Sequence, residues 1–572
     1  MDSKILIAIV LSLAAIVAYQ ELVLKRLYPP PDENASSPGV LTSGAYPSPA
    51  AGLPTAVGAV SGVEPARPHG ELVSPEGAGT GVTAGEGRDI KVETDLYTAT
   101  FTTLGARLES LMLKKFKSTS ADGAPPLQMV VPGERGELPL GVVWKRGDTK
   151  SDDSAILYQP SSESTIEVGA GENSLLTFRG KTADGLAIEK RFTFADASYV
   201  LGIKAELSGQ TDGIQSAGLE MSRSLTPGAG YYDVPEMQAD IDQKAFVDAE
   251  KALRKGIAPV SGKITYAGFG DRYFLSVFLP ENPFDGTLVA DYDGSSATTQ
   301  LFFPVKKGAD TISLKSGLYY GPKQLEVLEA VNPDLRRAID FGWTGLLALA
   351  LLRALKLFHF ISSNWGVAII LLTVAIRVLF LPMTIKSQRS MMRLQRLQPQ
   401  VERLREKFSG DKERLNREMV DLYKRNHVNP MGGCAPMLLQ LPIFIGLYSA
   451  LLNSIELRHA PFFGWITDLS RPDCLHIPGM PVLPYIDCAG IPVLVLLMGL
   501  STYLQQKMMP QAADPNQQKM MMFTPIIFTI MLVKFPAGLS LYYFSSNVLG
   551  IIQQYFLNRE FKQTTTAVAA TA

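Results

Sequence analysis

The chain has 572 residues, with 54 Lys and Arg against 55 Asp and Glu for a formal net charge of -1. That length holds a soluble domain and a membrane domain together, and the mean hydropathy of +0.10 averages a polar N-terminal half with a strongly apolar C-terminal half. Three cysteines exclude a disulfide-dense scaffold, and no CxxC or Cys/His cluster suggests a metal site.

Ile5–Tyr19 is apolar apart from Ser12. It fits either a cleaved signal peptide or a retained anchor; no clear small-x-small cleavage site follows, so residues 1–27 are expected to be a transmembrane anchor. Residues 28–88 are rich in Pro, Gly, Ala and Ser with few aromatics. Such a composition cannot bury a core and predicts a flexible linker.

Residues 89–333 change character. Runs of β-formers at Tyr97–Thr102, Leu175–Phe178, Ala187–Phe194, Tyr199–Leu207, Tyr273–Phe278 and Leu314–Tyr320 are broken by turn signals such as Ala183-Asp184-Gly185 and Asp293-Gly294. The pattern predicts a mostly antiparallel β-sandwich with one short helix near Gln243–Leu253. Nothing in it is long enough to span a bilayer.

Residues 334–362 mix Arg336, Arg337, Asp340, Arg353 and Lys356 with a heavily apolar face, which predicts an amphipathic interfacial helix; a short spanning helix is the alternative. Spans are then expected at Trp365–Lys386, Met437–Ser454, Ile491–Gln505, Met521–Val533 and Leu539–Phe556, several of them shorter than the ~20 residues a full bilayer needs. With the anchor they make six transmembrane helices. The segment Lys386–Val428 carries 12 Lys and Arg against six acids, which places it in the cytoplasm. Counting back from it puts the β-domain on the opposite side and both termini inside. Lys25 and Arg26 run against this orientation, and the larger cluster decides it. Cys474 and Cys488 share an external loop, where a disulfide and two free thiols fit equally well.

Arg377 lies inside the first of the C-terminal spans, and a guanidinium stays charged in any protein environment. At mid-membrane it costs roughly 2.5–3.5 kcal/mol on insertion scales. Lys386, nine residues on, lies about 14 Å away along a helix, farther than an arginine side chain reaches by snorkelling. The core spans offer almost no acid, since Glu456 and Glu560 fall at span ends. Expected partners are water or the polar side chains of Thr373, Gln440, Tyr542, Tyr543, Ser545 and Ser546, so the charge is expected to be solvated and available.

Within the basic segment, Leu394, Leu397, Val401, Leu404 and Phe408 form one apolar stripe at steps of three and four. Gly410 breaks the run, and Asp411 is placed to cap a second helix whose face includes Leu415, Met419 and Leu422. Residues 384–430 are thus expected to form a hairpin of two amphipathic helices, a connector that also offers a docking surface or a lid. Methionines cluster on the same side of the membrane, as suits a surface that accepts varied apolar segments. No P-loop, nucleophile elbow or HExxH appears, and none of the five histidines lies between Asp89 and Pro333.

Asn429-Pro430-Met431-Gly432-Gly433-Cys434 followed by Pro436–Tyr448 closely resembles the YidC-type membrane protein insertases. So do Glu456-Leu457-Arg458 before Pro461-Phe462-Phe463, Pro525-Ile526-Ile527-Phe528, and Phe535-Pro536-Ala537-Gly538-Leu539 running into Leu541-Tyr542-Tyr543. The anchor, the large β-domain and Asp271-Arg272-Tyr273-Phe274 resemble the Gram-negative form, whose periplasmic domain is a β-super-sandwich. The resemblance implies a multi-span α-helical inner-membrane protein that inserts and folds membrane proteins, alone or with the Sec translocon. It implies no cofactor, no catalytic site and no direct contact with nucleic acid. It also implies a hydrophilic groove open to the cytoplasm and lipid, with Arg377 drawing acidic residues of nascent clients and Thr373 and Tyr543 touching them. Residues 363–561 would be the insertase core and 562–572 a short cytoplasmic tail. That tail has one lysine, unlike the basic ribosome-binding tail of some relatives, which leaves ribosome or signal recognition contacts to the cytoplasmic loops. A small-anion transporter using Arg377 as substrate ligand is the competing reading; it predicts repeated halves or glycine-broken spans, and neither is evident.

Overall fold

The computed structural model describes residues 87–121, 123–131, 137–162, 165–224, 236–249, 257–292, 296–306, 308–426, 435–480, 482, 489–509 and 515–571. The expected anchor, nearly all of the linker, the Asp293-Gly294 turn, Asn429–Cys434 and Cys488 lie outside these residues.

Alternation of burial builds the β-domain. Along Ala187–Ala195, Ile188, Lys190, Phe192 and Phe194 point inward while their neighbours face out, and Val200–Ser208 repeats the pattern. These strands belong to a fourteen-stranded antiparallel sheet that runs from Thr149–Asp152 at one edge to Gln159–Pro160 at the other. A five-stranded sheet lies against it in the order Pro126–Val130, Arg107–Lys117, Tyr97–Thr102, Asp89–Glu93, Ile166–Glu167. The two inner faces meet at aromatic rings: Phe101 of the small sheet lies 4.7 Å, centroid to centroid, from Phe192 and 5.8 Å from Phe194 of the large one. The result is the expected β-sandwich, with Tyr97–Thr102 a strand over the same residues as read from sequence.

Where the helix expected near Gln243–Leu253 falls on described residues, the chain is extended instead. Lys244–Ala249 is a strand paired with Glu236–Ile241, and Leu253 lies outside the described residues. Asp242 and Gln243 both adopt positive φ, 54° and 62°. A two-residue turn of that kind matches the twist of a hairpin, and its pairing outweighs the helical preference of the Ala-, Lys- and Glu-rich segment.

After the short helix α1 (Leu325–Val331), two tight 3-10 turns at Pro333–Ala338 and Gly342–Thr344 lead into α2 (Gly345–Ser362). The helix expected across 334–362 is therefore confined to its C-terminal two thirds. Ser363, in the left-handed region at φ 55°, stops α2. Asn364 then caps α3 (Trp365–Arg396) by accepting from the Val367 N–H at 3.1 Å. The next helices are α4 (Gln398–Lys407), α5 (Lys412–Arg425), α6 (Ala435–Leu452), α7 (Val493–Met508), α8 (Pro515–Leu532) and α9 (Ala537–Thr571). Gly342–Ser362 and Trp365–Arg396 are long and apolar enough to cross a bilayer, while Gln440–Leu452 and Phe523–Leu532 are shorter apolar stretches. Leu346, Phe360, Leu379 and Phe556 are all exposed, an outward apolar surface suited to lipid rather than water.

The basic hairpin departs from expectation in one respect. Leu394 lies in the last turn of the long helix α3, and the chain breaks at Leu397 because Pro399, in the first turn of α4, cannot continue the preceding helix. Leu397 and Val401 are buried and Leu404 half-buried. Asp411 caps α5 as expected, its carboxylate accepting from the Arg414 N–H at 3.0 Å, while Leu415 and Met419 turn half-buried faces inward.

Polar contacts tie the β-domain, and the connecting segment after it, to the helices. The Arg458 guanidinium donates to the carbonyls of Lys117 at 2.9 Å and Ser118 at 3.3 Å, and lies over the Phe274 ring. Lys356 of α2 reaches Glu326 of α1 at 2.7 Å and Glu456 at 2.6 Å. Asn453 donates to the Asp340 carbonyl at 2.8 Å.

Candidate functional site: a polar seam around Arg377

Helix α3 carries Arg377 on an otherwise apolar stretch, and α9 supplies what the cation meets. Arg377 Nε donates to Ser546 Oγ at 3.1 Å, and one terminal nitrogen donates to the Ser546 hydroxyl at 2.9 Å and its carbonyl at 2.7 Å. All three recorded bonds go to one residue. Among the described residues no carboxylate stands within ion-pair distance of Arg377, and the side chain remains half-buried. Gly550, one turn beyond Ser546, is part of the arrangement: a Cβ there would overlap the Gln505 amide of α7 and press on the guanidinium. Glycine lets three helices converge on the charge.

The polar character continues along the same two helices. Gln553 of α9 donates to Thr384 Oγ1 at 3.1 Å and to Gln388 Oε1 at 3.2 Å on α3. Ser546, Gly550 and Gln553 are spaced by four and three, so they share one face of α9, opposite Arg377, Thr384 and Gln388. A polar seam therefore runs from the cation toward the basic hairpin. Beside it, Asn547 donates to Ser501 at 3.0 Å and Thr502 at 2.8 Å on α7. On the other flank Gln440 of α6 donates to the Tyr542 hydroxyl, and Tyr543 packs against Phe444 and Phe528 at 5.4 and 4.9 Å.

Comparison with known proteins decides the family. Residues 356–564 match the family described as 60Kd inner membrane protein, and residues 89–353 match the YidC periplasmic domain. The "Membrane protein insertase YidC" of Geotalea daltonii is 34% identical, covering 98% of this chain and 99% of that one. That of Syntrophus aciditrophicus is also 34% identical, over 98% of this chain and 100% of its own. The chain belongs to the YidC family of membrane protein insertases. A solved structure titled "Active YidC insertase crystal structure with the first transmembrane domain resolved" is 16% identical over 82% of this chain and 92% of that one, with a TM-score of 0.35; a likeness that low carries no argument.

In YidC terms the β-sandwich is the periplasmic domain and the helical remainder the inner-membrane part. Of the residues singled out from sequence, Arg377 and Ser546 meet directly, and Gln440 meets Tyr542. Thr373 is buried one turn above Arg377 with its hydroxyl committed to the Ile369 carbonyl at 2.7 Å. Ser545 is buried beside Ser546 but takes none of the guanidinium's hydrogen bonds. Asn429, Pro430, Gly432 and Gly433 fall outside the described residues. Cys474 is a half-cystine; Cys488 is not among the described residues. Gln505, Gly550, Gln553, Gln388 and Thr384 escaped the sequence reading, although the four-and-three spacing of Ser546, Gly550 and Gln553 inside an apolar span was a usable signal.

Proposed function

We propose that this insertase moves the polar flank of a nascent inner-membrane protein into the seam between α3, α7 and α9, where Arg377 offsets part of the desolvation of an acidic tail. The observation that carries this is the charge state of the site: a permanent cation, half-buried, held by one serine and, among the described residues, without a carboxylate in ion-pair reach. Such a cation has electrostatic capacity to spare for a client. The polar seam running to the basic hairpin gives a tail the hydrogen-bonding partners it would otherwise lose on leaving water. The client's apolar helix then leaves sideways into lipid, its lowest free-energy location, so no nucleotide is needed.

In this reading α3, α6, α7, α8 and α9 span the membrane with the N-terminal anchor, six spans in all. Helix α2 lies at the periplasmic interface, where Lys356 meets Glu326 and Glu456. The α4–α5 hairpin and both termini are cytoplasmic by the positive-inside rule, and the hairpin is the surface for ribosome or signal recognition contacts. Cys474 pairs with Cys488 in the oxidising periplasm, and residues 28–88 tether the β-domain to its anchor. The Sec translocon is the partner for larger clients. Among the described residues the helical half shows no repeated halves of the kind a small-anion transporter would have.

The test is insertion of a short single-span client with an acidic N-terminal tail into liposomes holding the pure protein. Arg377→Ala should lower insertion while Arg377→Lys, which keeps the charge, should retain most of it. Equal activity in all three would remove the cation from the mechanism.

A further inference from the structure

The β-domain holds a second polar site, apart from the seam around Arg377. A cavity of about 120 Å³ opens between the edge strand Pro126–Val130 of the small sheet and the large sheet. Gln128 and Val131, both exposed, mark its rim. Its floor combines Arg223, Ser222 and Tyr320 with the apolar side chains of Met221 and Phe269.

Three polar groups of its lining residues have no hydrogen-bond partner among the described residues: Arg223 Nη1, the Ser222 hydroxyl and the Tyr320 hydroxyl, each shielded from solvent. Tyr320 is 2% exposed. Buried donors are nearly always satisfied in folded proteins, so three orphans around one cavity call for an occupant. The nearby acid cannot serve. Asp271 takes the Tyr273 and Phe274 N–H groups on one oxygen, at 2.9 and 2.8 Å, and Arg223 Nη2 on the other at 2.7 Å. That clamp fixes the guanidinium and leaves its second nitrogen without a partner among the described residues. Arginine only donates, and burial pushes the Tyr320 phenol well above its usual range, keeping it a donor. The missing group is therefore an acceptor.

We propose that this cavity binds a small carboxylate, its oxygens taking the Arg223, Ser222 and Tyr320 donors and its carbon stem lying against Met221 and Phe269. A cavity of ~150 Å³ holds a benzene-sized molecule, so a hexose is too bulky and a carboxylate with a short stem is the right scale. The source is either a free short-chain acid or the carboxylate of an extended polypeptide reaching the periplasmic face.

The probe is trifluoroacetate, followed by ¹⁹F line broadening with the full chain in detergent. Broadening should appear with the wild type and be reversed by acetate. Tyr320→Phe/Ser222→Ala removes two donors and should weaken binding by roughly ten-fold or more. Its thermal stability should hold or rise, because neither hydroxyl has a protein partner to lose. Displacement by N-acetyl-alanyl-valine at lower concentration than acetate, but not by its amide, assigns the site to a polypeptide; acetate displacing equally well assigns it to a free acid. No broadening with the wild type, or equal broadening with the double variant, overturns the proposal and leaves the cavity to ordered water.

Discussion

Replacing Ser546 with Asp tests whether Arg377 must be unpaired, because it leaves the cation in place and removes only its availability. Ser546 Oγ already stands 2.9 and 3.1 Å from two guanidinium nitrogens, so a carboxylate on the same Cβ reaches the fork within about 4 Å. Two unit charges at that distance interact by ~4 kcal/mol at an effective dielectric of 20, equivalent to roughly a thousand-fold in binding. A client's acidic residue would then compete against a tethered rival with no translational entropy to lose. Ser546→Asp should therefore lower insertion of an acidic-tailed client by at least about ten-fold, close to Arg377→Ala. Ser546→Asn, which keeps a polar partner without charge, should stay within about two-fold of wild type. The assay is the same liposome insertion, with circular dichroism to show that the variants fold. Wild-type insertion by Ser546→Asp would show that an available cation is not what the site supplies, and the reasoning would fail at its first step.

Gly366 packs so closely under the Phe462 ring that an added Cβ would overlap it. Gly366→Ala should lower the thermal midpoint, despite a helix-propensity gain of up to ~1 kcal/mol, and a rise would refute the packing. Arg458→Ala should speed amide exchange at the end of strand Arg107–Lys117 by roughly ten-fold, the value of about 1–1.5 kcal/mol of lost hydrogen bonding; unchanged exchange would show that this tie is idle. Burial drives Lys190 and Lys323 of the β-domain down to about 8, against the pull of Asp153 on the first and of Glu236 and Asp271 on the second. Between that value and ~10.4 the unfolded chain holds protons the native state has lost, so stability should rise with pH by up to ~1.4 kcal/mol per unit per lysine. Buried Tyr97 and Tyr266, whose phenols are raised, reverse the slope above about pH 10. Denaturant unfolding followed by the β-sheet signal at pH 7 to 10 checks this; a flat profile would refute it.

What was legible in the sequence was whatever repeats on a short period. Alternation exposed the strands because one side of each faces the core, and the three-and-four stripe exposed the hairpin because Leu397, Val401 and Leu404 share a buried face. The hairpin around Asp242 and Gln243 was missed because neither residue is glycine, so nothing announced a positive-φ turn. The break at Leu397 was missed for the opposite reason: a regular stripe hid the conformational veto of Pro399. At the site, composition named the candidate hydroxyls but could not rank them, since Ser546 and Arg377 are 169 residues apart and only the packing of α9 on α3 chooses Ser546 over Ser545. The glutamines of the seam share that dependence on packing.

The β-domain shows how the same chain treats a cation buried in its core. Lys190 occupies an inward position on its strand and is fully buried, and its ammonium meets Asp153 and the carbonyls of Gly105 and Leu140. Arg107 lies beside it, paired with Asp153 at 3.3 Å and Glu220 at 3.1 Å, while Tyr158 donates to Asp153 at 3.0 Å. Asp152 stands 3.9 Å from the same guanidinium, so two positive charges meet three carboxylates, the pairing that removal from water demands. Arg377 is given a serine hydroxyl, a carbonyl and a glycine that clears space. A chain that surrounds its buried cations with carboxylates in one domain places none within ion-pair distance of Arg377 among the described residues of the other. On the function proposed above, the negative charge that Arg377 lacks arrives with the client.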